Sequence, residues 1–86
     1  MNRDNILSLV RQYLAISQGY EDGEWTDEEY PESYDLDDLG MDSLEIVDFI
    51  LALEQRFQVK IDEEMDSLFM RGTIGEIVDW LMGVVK

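Results

Sequence analysis

Asp38-Leu39-Gly40-Met41-Asp42-Ser43-Leu44-Glu45 is the stretch on which the fold of this chain turns, because within it a glycine-containing turn gives way to an apolar run of helical period. Asp42 followed three residues later by Glu45 has capping-box spacing, with the aspartate in the capping place, so the spacing predicts a helix from about Ser43 to Phe57. Ile46, Phe49, Ile50, Leu53 and Phe57 form its inward stripe. Leu44, Val47 and Leu51 fall on a neighbouring arc flanked by Glu45, Asp48, Glu54 and Gln55, an apolar patch framed by acids and a candidate partner surface. Ser43 offers a nucleophilic hydroxyl at the helix N-terminus. A phosphoester oxygen there sits near unpaired backbone N–H groups and the positive end of the helix dipole, so Ser43 is well placed to carry a phosphate-linked group.

Working outward, Ile6, Leu7, Leu9, Val10, Tyr13, Leu14 and Ile16 recur at helical spacing and predict a first amphipathic helix over Asp4–Ile16, capped by Asp4 and left at Gly19. Ser17 to Met41 has no sustained period, contains Gly19, Gly23, Pro31 and Gly40, and is strongly acidic, which predicts a long loop. Loops beyond roughly 12 to 15 residues are uncommon in compact domains, so a short helical turn or a function is expected within it. Thr26-Asp27-Glu28-Glu29 has the spacing for one such turn, ended before Pro31. Tyr20, Trp25, Tyr30 and Tyr34 are expected to pack back onto the core or to meet a partner.

After Gln58 the pattern predicts an extended connection and then a short helix before Thr73. Thr73 with Glu76 makes another capping box, and Ile74, Ile77, Val78, Leu81 and Val85 predict a final helix on which Trp80 rests partly in the core. Three substantial helices and a short one, without a convincing strand pair, predict an all-α fold: a small four-helix bundle with a long acidic loop between helices 1 and 2. A chain of 86 residues has room for one core, so a single domain spanning residues 1–86 is expected.

Composition narrows the function. Between Arg11 and Arg56 lie fourteen of the twenty-one acids and no lysine or arginine, within a chain of net charge −15. That segment repels polyanions, so nucleic acid and anionic membrane surfaces are disfavoured and basic protein partners are favoured. Cysteine and histidine are both absent, which leaves no disulfide, thiolate or zinc–thiolate chemistry. Met1 leads into a polar amphipathic segment and nothing approaches the ~20 apolar residues of a membrane span, so a cytoplasmic protein without membrane insertion is expected.

Two other chemistries fit poorly. A calcium loop beginning at Asp35 places Gly40 correctly but puts Leu39 fifth and Ile46 twelfth, where a bidentate glutamate is needed, so Asp35, Asp37, Asp38 and Asp42 offer at most weak divalent binding and no metal site is expected. Catalysis by the chain itself lacks a nucleophile–base pair, and a small helical body has little room for a cleft, so no catalytic residue is expected.

The order of these features resembles the acyl carrier protein family, whose D-S-L motif is matched by Asp42-Ser43-Leu44. The resemblance covers nearly the whole chain: amphipathic first helix, long loop, Asp38 to Leu44, acidic second helix, then Glu54 and Phe57 preceding a short helix and a final one. Arg56 in place of a continued acidic run, the absence of a proline after Ile61 and the length of the first loop depart from the family pattern. The resemblance implies a 4'-phosphopantetheine arm, covalently derived from coenzyme A, on Ser43. It implies that Asp42 and Leu44 frame that serine for a phosphopantetheinyl transferase, and that Glu45, Val47, Asp48, Leu51 and Glu54 form the recognition helix. It further implies a monomeric, non-catalytic carrier of thioesters, charged by an acyl- or aminoacyl-loading enzyme and serving synthase or transferase enzymes with basic docking patches, in fatty-acid, polyketide, nonribosomal-peptide or related synthesis. The thiol missing from the sequence would arrive with the arm. A rival of another class is an acidic adaptor that binds a basic partner through its aromatic-acidic loop or second helix, with no covalent group.

Overall fold

Apolar residues spaced three and four apart along this sequence form four α-helices in the computed structural model, which describes residues 2–20, 25, 27–62 and 66–85: α1 (Arg3–Ser17), α2 (Ser43–Phe57), α3 (Asp66–Arg71) and α4 (Ile74–Val84). Among the described residues the only extended pairing is a single antiparallel bridge between Asp35 and Thr73, so the fold is all-α. Its Cα radius of gyration is 11.7 Å, and a fifteen-residue helix such as α1 or α2, about 22 Å long, runs the depth of the body.

The start of α1 differs from the expected one. Asn2, rather than Asp4, is the cap, its Oδ1 accepting the Asn5 N–H at 2.9 Å. Asparagine caps as well as aspartate, and the earlier start places Asp4 in the first turn, where its charge faces the positive end of the dipole. α1 buries Ile6, Leu7, Val10, Leu14 and Ala15, while Ile16, about 200° around the helix from Leu14, is exposed. At the other end Gln18 is the cap and Gly19 follows with φ +94°, a left-handed conformation glycine adopts without steric cost.

α2 begins and ends as its sequence predicts. Phe49, Leu53 and Phe57 are buried on successive turns and half-buried Ile50 packs against the core, whereas Ile46, expected on the inward stripe, is half-buried in the lining of a surface cleft because residues of the first loop and α3 meet it there. In α4, Ile74, Ile77, Val78 and Leu81 are buried; Val85 lies just beyond the helix as its C-cap. Phe69 of α3 makes edge contacts with Phe49 of α2 and Trp80 of α4, at centroid distances of 5.9 and 6.1 Å, and Leu68 beside it packs against the core, so this short helix helps close it.

The loop between α1 and α2 is pinned at several points. A 3₁₀ turn at Asp27–Glu29 matches the expected helical turn, although its Thr26 cap lies outside the described residues. A second 3₁₀ turn, Leu36–Leu39, was not foreseen. Tyr30 and Leu36 are buried, Trp25 and Tyr34 pack against the core, and Tyr20 stays exposed, so most of the loop's aromatic groups serve packing. The Arg11 Nε–H donates to the Tyr30 carbonyl at 2.8 Å, and Arg3 pairs with Glu32 and with Asp79 of α4, the latter at 3.0 Å. The loop backbone is stitched to the α3–α4 junction by Leu36 N–H to Gly72 O (2.9 Å), Ile74 N–H to Tyr34 O (3.2 Å) and Gly75 N–H to Glu32 O (2.9 Å). A Cβ at position 75 would lie only 3.2–3.3 Å from atoms of Glu32, which explains glycine at that approach.

Candidate functional site

Two anchors hold the segment that delivers Ser43. Leu36 is buried and Leu39 packs against the core, fixing the 3₁₀ turn, and Gly40 ends that turn in the left-handed region at φ +68°. The Leu39 carbonyl accepts the Gln18 side-chain amide at 2.9 Å, while the Tyr30 hydroxyl donates to the same glutamine's Oε1 at 2.6 Å. The chain then passes half-buried Met41 and reaches Asp42, whose carboxylate accepts the Glu45 N–H at 2.8 Å; Glu45 Oε1 in turn accepts the Asp42 N–H at 3.3 Å.

Ser43 is the first residue of α2 and is exposed. The helical ladder begins with the Ile46 N–H to the Asp42 carbonyl at 3.0 Å, and Asp42 occupies the Glu45 N–H. The N–H groups of Ser43 and Leu44 therefore lie outside the intrahelical ladder, so the N-terminus keeps two of the orphan donors expected there rather than all of them. An open cleft of about 210 Å³ adjoins the site, lined by Leu36, Asp37, Met41, Ile46 and Arg71. Ser43 does not itself line the cleft, but it lies between two residues that do, two positions after Met41 and one turn before Ile46. An exposed serine, free backbone donors and a nearby cleft fit a phosphate-linked arm on chemical grounds.

Leu44, Val47 and Leu51 are 75 %, 50 % and 47 % exposed, three large apolar side chains in water on one helix. With exposed Asp48 they fall within an arc of about 100° beginning next to Ser43. Two other predicted recognition residues also make hydrogen bonds within the fold. Glu45 is half-buried in the capping box, and half-buried Glu54 accepts the Ile61 N–H through Oε2 at 2.8 Å, tying down the connection after α2. Asp35, Asp37 and Asp38 are all exposed, and among the described residues no group of three or more acidic side chains is arranged to hold a metal ion. Sequence reading missed Arg71 and the cleft as a unit, since residues from the first loop, α2 and α3 meet there only in space.

Comparison with known proteins agrees with this geometry. The family profile described as phosphopantetheine attachment site matches residues 24–81. An acyl carrier protein of Thermotoga maritima is 32 % identical over 80 residues, covering 93 % of this chain and 91 % of that protein. An acyl carrier protein of Clostridium perfringens (strain SM101 / Type A) is 42 % identical over 78 residues, covering 91 % and 90 %. No solved structure matches significantly. An all-α fold that opens its second helix on an accessible serine, matched along most of its length by carriers and by the attachment-site profile, belongs to the acyl carrier protein family, and its prosthetic group is 4'-phosphopantetheine.

Proposed function

We propose that Ser43 carries the arm and that residues 1–86 work as one acyl-carrier domain. The single observation that carries this reading is an exposed serine at the first position of α2, inside a profile match for phosphopantetheine attachment. A phosphopantetheinyl transferase joins Ser43 Oγ to the phosphorus of coenzyme A next to the pantetheine, the pyrophosphate P–O bond breaks, the nucleotide leaves, and the serine proton passes to a base on the transferase. The arm supplies a thiol that holds acyl groups as thioesters. The protein's own residues present the attachment oxygen and the docking face; the chain is a cosubstrate of its partners and catalyses nothing itself.

Leu44, Val47, Asp48 and Leu51 form the centre of that face, with Asp42, Glu45 and Glu54 adding charge around it. Partners with basic docking patches suit it: a loading enzyme for acyl or aminoacyl groups, then synthases or transferases of fatty-acid, polyketide, nonribosomal-peptide or related synthesis. The carrier acts as a monomer in the cytoplasm; among the described residues no helix is long and apolar enough to cross a membrane. Incubation with coenzyme A, magnesium and a broad-specificity phosphopantetheinyl transferase is expected to add one arm to the intact mass, with no addition to Ser43→Ala. An unchanged wild-type mass across several transferases would remove the proposal and favour the adaptor.

A further inference from the structure

We infer that Arg71 is the counter-ion of the phosphodiester at Ser43, an assignment that rests on Ser43 as the attachment residue. Asp37, Asp38, Asp42 and Glu45 make the surroundings of Ser43 strongly negative, and a phosphodiester adds another negative charge there. Arg71 is the one basic side chain among those lining the cleft beside Ser43. It is exposed, at the last position of α3, and has no hydrogen bond or ion pair to another described residue. Asp37 lines the same cleft without an ion pair to it within 4 Å.

The contrast with α1 gives this weight, since Arg3 and Arg11 are both engaged in holding the acidic loop to the body. Arg71 is kept on the cleft by its neighbour Gly72, which accepts the Leu36 N–H at 2.9 Å and donates to the Leu68 carbonyl at 2.8 Å. A guanidinium matches phosphate oxygens with two parallel donors, and close to a surface so depleted of cations its attraction is opposed by no competing basic group in the cleft. Met41, Ile46 and Leu36 supply apolar walls to the same cleft, so a phosphodiester on Ser43 would find Arg71 as the basic group of that lining. A guanidinium that served only the C-terminal dipole of α3 would act equally with and without the arm.

The test compares arm-free and arm-bearing forms of wild type, Arg71→Gln and Arg71→Lys, each checked by intact mass, using ³¹P NMR of the phosphodiester and thermal unfolding. The expected result is a ³¹P resonance displaced in Arg71→Gln and partly restored in Arg71→Lys, with a smaller difference in melting temperature between the two forms in Arg71→Gln. The inference is overturned if the adduct forms but the resonance and that difference match wild type, or if Arg71→Gln lowers both melting temperatures equally with the resonance unmoved. Absence of an adduct on wild type overturns the attachment at Ser43 as well.

Discussion

Asp42 and Glu45 satisfy one another's backbone: the Asp42 carboxylate takes the Glu45 N–H at 2.8 Å and Glu45 Oε1 takes the Asp42 N–H at 3.3 Å, with Ser43 standing between them. This reciprocal cap fixes where α2 starts, and so which residue becomes its first and outermost. Asp42→Ala is expected to cost about 1 kcal/mol of stability, the usual consequence of losing such a cap. Ser43→Ala, at an exposed position outside the reciprocal pair, should stay within about 0.5 kcal/mol of wild type. Urea unfolding of the two variants checks both figures.

The proposed recognition role and the capping role fall on different acids of α2. Asp48 is exposed, whereas Glu45 is part of the cap. Asp48→Lys should therefore slow modification by the transferase while the melting temperature holds, because a surface charge steers partners more than it stabilises. Glu45→Lys is expected to lower both. Transferase rates at two salt concentrations, beside a melting curve, distinguish them; an equal loss of rate and stability in Asp48→Lys would contradict this assignment.

Phe57 closes the buried row Phe49, Leu53 and Phe57 of α2 and is 7 % exposed. Truncation to alanine removes a ring from the core and leaves space that so small a body fills only in part, at a cost of roughly 3 to 5 kcal/mol. That is a large share of the stability of a domain of this size. Denaturant unfolding should show a much lower midpoint, and an unchanged one would mean that the ring is not part of the core.

Tyr30 is buried in the loop, and burial, with smaller contributions from Tyr20, Glu29 and Tyr34, pushes its hydroxyl up to about 12 from 10.0. The folded state thus favours the neutral phenol. Stability from this group is fully present below pH 10 and is lost as the pH rises through about 12. Tyr30→Phe gives up the hydrogen bond to Gln18, costing about 1 kcal/mol at neutral pH, but removes this titration. Unfolding curves through the alkaline range should therefore converge for the two proteins; parallel curves would refute the assignment.

Local chemistry in the chain determined the helices and the place of the serine. Capping pairs act over three residues and apolar periodicity over a few turns, so α2 and α4, the Ser43 start and the exposed arc Leu44–Val47–Leu51 were legible from residue order alone. Asp4 lost the cap of α1 to Asn2 because both residue types cap well and order alone does not choose between them. The tertiary structure decided what depends on distant partners. Arg3 and Arg11 gather an acidic loop that carries no cation of its own, Gly72 and Gly75 receive that loop's backbone, and the half-buried Glu54 carboxylate accepts the Ile61 N–H. Arg71 reaches the cleft beside Ser43 only because α3 packs against the Leu36–Leu39 turn. Such contacts join residues from seven to seventy-six positions apart, and their energy depends on geometry that no local spacing encodes.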